Sequence, residues 1–268
     1  MAAATPGPLQ GRTILVTGAN DGLGRAVALA AAGAGATVVL SGRNSAGLER
    51  VYDQILALGA AQPAALPLDL ARASWKEMHE LVQLLGREVG SLHALVHCAA
   101  HFKAFSRLED LDPKEWMEGL QVNLTAPYVL TRECLPLLRA SGEGVVVFVT
   151  DAAGRQPKPF QHIYGLAKGA QEALVKMWTA EWAQEPGLRA HSFYPGPMRT
   201  RLRVKGYPGE ATQQWPTPEQ IAPQILALLG PEGRSRRGEA LSAVTVCRTH
   251  AEGAGPERCP HQGGASAR

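Results

Sequence analysis

The chain has 268 residues, 45% hydrophobic and 19% charged, with a formal net charge of +3. That length suits one large domain with a substantial core or two small ones, and the weak charge gives no electrostatic case for nucleic acid. Four cysteines make no disulfide framework, residues 1–10 lack a signal-peptide pattern, and the weakly polar stretch 26–40 is too short to span a bilayer, so a cytoplasmic protein with no membrane association is expected.

From Thr13 to about Val244, short β-branched runs alternate with longer helix-like segments. TILVTG (13–18) reads as a strand before a helix over 23–34, and TVVLSGR (37–43) as a strand before a helix over 46–58. AALPLDL (64–70) precedes a helix over 74–89, and ALVHCAA (94–100) a helix over 114–138. GVVVFVT (144–150) leads into a helix over 161–183; RAHSFYPG (189–196) and EALSAV (239–244) complete the set. The runs show little period-two alternation, as expected of strands covered on both faces. Strand–helix alternation implies right-handed crossovers, hence an α/β fold: a single-domain, Rossmann-type doubly wound parallel sheet of about seven strands, with helices on both faces.

The expected organisation is an N-terminal arm (1–10), the domain (11–244) with a polar substrate loop over about 200–218, and a tail (245–268) with almost nothing to bury, expected to be disordered. Cys247, His250, Cys259 and His261 in the tail invite a zinc reading. Their Cys-x-His spacing is poor and no core residues surround them, so no metal is expected. The run RSRR (234–237) reads as a solvated turn.

Three glycines, Gly18, Gly22 and Gly24, lie between the first strand and the first helix. A Cβ-free turn lets backbone approach a pyrophosphate, and the helix N-terminus offers it unpaired N–H groups. In this context the triplet points to nucleotide binding rather than to a turn alone, and Asn20, Asp21 and Leu23 join the expected contacts. The second strand ends without Asp or Glu and with Arg43. A guanidinium there suits a 2′-phosphate, which favours NADP with NAD as the alternative; a solvated loop arginine is the competing reading. Asp69, with Leu70 beside it, is placed to accept from an adenine amino group or else to cap the next helix.

Tyr164 and Lys168 in YGLAK share a helix face. With TGANDGLG, LDL, HCAA, VNLTAPY and YPGPMRT falling in order over residues 12 to about 244, the chain resembles the short-chain dehydrogenase/reductase family. Within it, TGANDGLG, SGRN, AAGRQ and YPGPMRTRLRVKGYPGE are most similar to the YciK-type bacterial oxidoreductases. The resemblance implies NAD(P)-dependent hydride transfer between a nicotinamide and a small-molecule carbonyl or alcohol. Tyr164 would be the general acid/base, and Lys168 would bind the nicotinamide ribose and lower the phenol's pKa. Asn123 would hold a water relay, while Ala99, Pro195, Gly196 and Thr200 would contact the cofactor. It also implies a homodimer or homotetramer through the helices carrying Asn123 and Tyr164. Trp178 and Trp182, four apart on the latter helix, are equally explained by core packing.

Two positions depart from the family pattern. Cys98-Ala99-Ala100 stands where Asn-Ala-Gly is usual, with Cys98 read as a small buried filler. Asp151 stands in place of the family's catalytic Ser. Thr150 does not rescue the hydroxyl, because neighbours at a strand end point to opposite faces. A carboxylate only accepts hydrogen bonds and opposes negative charge on a reacting oxygen. Four readings follow for Asp151: a protonated donor, an anchor for a cationic or polyol substrate, a block that leaves a nucleotide-binding sensor or scaffold with little turnover, or a loop cap. With Tyr164, Lys168 and Asn123 all present, retained oxidoreductase chemistry is the expectation. Arg201, Arg203 and Lys205 hint at an anionic group, against the alternative of a solvated face.

Overall fold

The computed structural model describes residues 7–243. The tail with its Cys and His residues, and residues 1–6 of the arm, lie outside the described residues. Seven strands, β1 (Thr13–Thr17), β2 (Thr37–Gly42), β3 (Ala64–Pro67), β4 (Ala94–His97), β5 (Gly144–Val149), β6 (Leu188–Tyr194) and β7 (Ala240–Ser242), form one sheet in the order β3-β2-β1-β4-β5-β6-β7. Every neighbouring pair is parallel. The strand order reverses between β1 and β4, which opens a crevice at the C-terminal ends of the strands.

The helices are α1 (Gly22–Gly33), α2 (Ser45–Ala57), α3 (Trp75–Val89), α4 (Pro113–Leu120), α5 (Ala126–Ala140), α6 (Ala152–Arg155), α7 (His162–Glu181), α8 (Arg201–Gly206) and α9 (Pro218–Leu229). Alternate strand residues feed two cores. Ile14, Val16, Val38, Leu40, Val96 and Val147 pack under α1, α2 and α9, whereas Leu15, Val39, Leu95, Val146 and Phe148 pack under α3, α5 and α7. Burial on both faces explains why the strands read as unbroken apolar runs. Local signals set the helix starts: Ser74 and Glu77 form a capping box at α3, and Asp112 precedes Pro113 at α4.

The structure differs from the sequence reading at several points, the short helices α6 and α8 among them. The helix expected over 114–138 is divided by a π-helical turn, Gln121–Thr125. Helix α9 was not anticipated, although Thr217 and Gln220 form a capping box and Ile221, Ile225 and Leu228 recur at helical spacing; two prolines in this stretch masked the period. Residues 7–10 do not project as an arm: Leu9 is buried and its N–H donates to Ala34 O at 3.0 Å. In the basic run, Arg234 pairs with Glu143 and Arg237 donates to Pro186 O at 2.7 Å, so these side chains fasten the last turn to the body. Trp178 and Trp182 stack at 5.6 Å inside the second core, which is the core-packing alternative. Among the described residues no helix is long and apolar enough to cross a membrane.

Candidate active site

The crevice is lined first by backbone. Gly18 has φ 68°, and a Cβ there would lie 2.8 Å from Ala99 N. A Cβ on Gly24 would meet Gly18 O at 2.3 Å, so only glycine lets α1 start this close to the loop. Asp21 caps α1 by accepting from Gly22 N at 2.8 Å, while Leu23 turns into the first core. Asn20 packs against the end of β2, where a Cβ on Gly42 would be 2.7 Å from its Oδ1. Arg43 is exposed just beyond β2, and among the described residues no hydrogen bond or ion pair holds its guanidinium. Asp69 Oδ1 accepts from Ala71 N at 3.1 Å and so holds a turn before α3, whose cap is Ser74 rather than Asp69, and Leu70 is buried.

Across the crevice, Ala99 N donates to Thr17 Oγ1 at 3.3 Å. Pro195, Gly196 and Thr200 follow β6, and Thr200 Oγ1 caps α8 by accepting from Arg203 N at 3.1 Å. A cleft of about 600 Å³ lies between Asp21, Gly22 and Arg25 on one side and Thr200, Val204 and Pro218 on the other. Of the loop cations, Arg201 is exposed and lies 3.6 Å from Asp21. Arg203 pairs with Glu210 and stacks 3.7 Å over the Tyr207 ring, so it is a fastening of the loop rather than a free cation.

The polar centre lies where β5 meets the first turns of α7. Lys168 is buried and donates from Nζ to Val149 O at 2.6 Å and Gln171 Oε1 at 3.2 Å. Burial lowers its pKa to about 8, against the pull of Asp151, Cys98 and Glu172. Tyr164 stands one turn earlier, with the Lys168 ammonium 5.8 Å from its ring centroid. Burial, and after it the Asp151 carboxylate, raise the phenol well above its ordinary value. Without a nicotinamide in the crevice, burial and the Asp151 carboxylate thus act against the acidifying pull expected of Lys168 and favour the protonated phenol.

Asn123 sits in the π-helical turn and is fully buried. Its Nδ2 donates to His101 O at 2.8 Å and its Oδ1 accepts from His101 N at 2.8 Å, which locks the segment after β4. Its main-chain carbonyl accepts from Gln171 Nε2. Gln171 thus links Lys168 to Asn123 directly, a side-chain connection the sequence reading missed. Its position three residues after Lys168, on the same helix face, was the available signal.

Asp151 performs two tasks at once. Its Oδ1 accepts from Ala153 N at 2.8 Å and starts α6, and its Oδ2 faces Tyr164 Oη at 3.5 Å. Thr150 points the other way, donating from Oγ1 to Glu172 at 2.8 Å, as strand alternation requires. A second feature missed from sequence is a wall of rings. Phe102 meets Tyr164 edge-on at 5.4 Å and stacks on His162 at 6.0 Å, while Phe105 bridges Phe102 and Tyr207 at 5.0 and 5.1 Å. The HFKAF stretch after β4 carried that signal in its aromatic spacing. Cys98 is half-buried against the first core rather than enclosed in it, and the burial of its thiol pushes it up to about 12.

A parallel sheet with a glycine-lined crevice at its reversal point defines a dinucleotide-binding α/β protein. The sequence profile of the short chain dehydrogenases matches residues 12–210, and the chain belongs to that family of oxidoreductases. It is 34% identical over 235 residues to the oxidoreductase YciK of Escherichia coli K12, covering 88% of this chain and 92% of that one. A short chain dehydrogenase from Pseudomonas syringae superposes with TM-score 0.87 at 38% identity, over 90% of this chain and 98% of its own. One from Shigella flexneri, complexed with NADP, superposes with TM-score 0.86 at 33% identity, over 89% and 99%.

Proposed function

We propose that the protein is an NADP-dependent oxidoreductase interconverting a carbonyl and an alcohol, with Tyr164 as general acid/base. The observation that carries this reading is the convergence of Tyr164, Lys168 and Asn123 beside the glycine loop, with the phenol held protonated. The backbone cradle at Gly18 and Gly24, and the unpaired Arg43 where a diol-binding acid would stand, fit a dinucleotide bearing a 2′-phosphate. NAD would leave that arginine without its partner. In this reading Gly18, Asn20, Asp21, Gly22 and Gly24 surround the pyrophosphate, and Leu23 anchors the loop to the core. Arg43 takes the 2′-phosphate, Asp69 and Leu70 flank the adenine, and Lys168 holds the nicotinamide ribose. Ala99, Pro195, Gly196 and Thr200 border the nicotinamide.

Bound there, the nicotinamide supplies or accepts the hydride. The protein's own work is to position the carbonyl oxygen against Tyr164 Oη and give it the phenolic proton. The phenolate left behind is stabilised by the Lys168 ammonium until it is reprotonated. Lys168 is held for this by Val149 O and Gln171, and Gln171 by Asn123.

Tyr164→Phe tests this reading. NADPH consumption over a panel of aldehydes, ketones and quinones should fall by about 10³-fold, with NADPH binding, followed by its fluorescence, unchanged. Turnover that survives the substitution refutes the role of the phenol. Asp151 supports a second reading, a nucleotide-binding sensor: its carboxylate opposes charge on the reacting oxygen. That reading requires NADPH binding without turnover in the native protein and turnover gained in Asp151→Ser.

A further inference from the structure

We propose that the substrate carries a positive charge, an ammonium or related onium group within two or three bonds of the reacting carbonyl carbon, and that Asp151 and the aromatic wall select it. The inference rests on the reading of Tyr164 as the proton donor and names the class of molecule that site accepts.

The first ground is the fixed direction of the Asp151 carboxylate. Oδ1 is committed to Ala153 N, which holds the side chain in place and leaves Oδ2 facing Tyr164 Oη at 3.5 Å. A carbonyl oxygen that reaches the phenol must therefore lie beside this carboxylate oxygen. Two unit charges at that 3.5 Å spacing repel by roughly 5 kcal/mol at an effective dielectric of about 20. A neutral carbonyl meets that repulsion as its oxygen gains charge. A cation on the same molecule offsets it by pairing with Oδ2.

The second ground is that no side chain forms an ion pair with Asp151, although Lys168 lies near enough to feel its charge. Among the described residues no lysine, arginine or histidine lies within ion-pair distance of Asp151. Arg155, on α6, donates to Glu172, Ser242 Oγ and Leu241 O. Arg203, on α8, is held by Glu210 and Tyr207. Lys168, on α7, points its ammonium at Val149 O and Gln171. His162 Nε2 is engaged with Ala104 O.

The third ground is the aromatic surface beside Tyr164. Phe102 meets Tyr164 edge-on and Phe105 meets Phe102, with Phe105 partly open to solvent, whereas the Tyr207 ring beyond them already carries the Arg203 guanidinium. Ring faces attract desolvated cations, and rings that share the neighbour Tyr164 with one carboxylate are a combination that suits onium groups. An apolar neutral substrate would use the rings but gain nothing from the carboxylate; an anionic one would be repelled.

The test uses matched pairs: a trimethylammonium-substituted aldehyde and its tert-butyl isostere, and a phenyl-bearing pair of the same kind. Binding of the corresponding alcohols to the NADP-loaded protein is measured by calorimetry, and reduction of the aldehydes by kcat/KM. The onium member should bind about tenfold more tightly than its isostere. Asp151→Asn should bring the two within about threefold, and Phe102→Leu should weaken the onium alcohol while leaving the isostere little changed. Equal or tighter binding of the neutral member in the native protein overturns the inference. So does a preference that persists in Asp151→Asn, or no measurable binding of any onium probe. Tyr164→Phe separates this result from the acid/base reading: turnover that ignores the phenol sinks that reading but leaves the binding preference in place. A Tyr164-dependent reaction with no charge preference sinks only the substrate class.

Discussion

The two sides of the crevice are built by different means. The side formed by β1 and α1 is shaped by backbone: Gly18 and Gly24 are positions where a single added carbon would strike main-chain atoms. The side formed by β5, α7 and the segment after β4 is shaped by side chains, in which Asp151, Tyr164, Lys168, Gln171 and Phe102 hold one another. A backbone cradle tolerates no substitution and carries little information about the substrate. A side-chain wall is replaceable residue by residue.

That contrast is most sharply broken on the backbone side. Gly24→Ala would place its Cβ 2.3 Å from Gly18 O, with no flexible side chain to yield. It should cost about 1–3 kcal/mol of stability together with most of the cofactor affinity, read by thermal melting and NADPH titration. Intact affinity would show that the loop relaxes and that the cradle is not backbone-limited. On the side-chain side, Gln171→Leu leaves Lys168 Nζ short of one acceptor and the Asn123 carbonyl without its donor. The fold should survive with a loss of about 1–3 kcal/mol, while kcat falls more than KM rises.

The pH dependence sharpens the comparison further. Lys168 is held at about 8, so its ammonium is complete below that pH and lost above it. If Lys168 is needed charged, kcat/KM should decline as pH rises through about 8. Asp151 pulls this value up, so Asp151→Asn should move the decline to lower pH; an unmoved limb would show that the two groups do not communicate.

A further effect, confined to acid pH, lies away from the crevice. Burial lowers His97 to about 3 and His191 to about 4, and among the described residues neither ring nitrogen of His191 has a hydrogen-bond partner. The unfolded chain protonates such residues near their ordinary value of about 6.5, whereas the folded state holds them neutral. Stability should therefore fall as pH drops below about 6.5, with the loss complete once both folded-state values are passed. His191→Leu removes one of these groups and should flatten the acid limb of a denaturation series; an unchanged limb would assign the acid loss to other residues.

Much of this was legible in the chain. The seven strands, the helices α1, α2, α3 and α7, α4 and α5 read as one, and the glycine loop follow from local pattern, because strands buried on both faces and turns that need glycine leave one-dimensional traces. Helix α9 left such a trace too, but prolines interrupted it. Asp151 was legible as an anomaly, while its effect was not: whether a carboxylate caps, anchors or blocks depends on where each oxygen points.

The amino-acid order by itself determined the alternation of strand and helix, the glycine loop between β1 and α1, and the YGLAK pair on one helix face, since each rests on near neighbours in the chain. Only the tertiary structure decided that Gln171 ties Lys168 to Asn123, that burial and Asp151 push the Tyr164 phenol up, and that Phe102 packs against its ring. Those outcomes depend on desolvation and on distances between groups far apart in the chain, which fix the sign of an electrostatic effect and which no local spacing encodes.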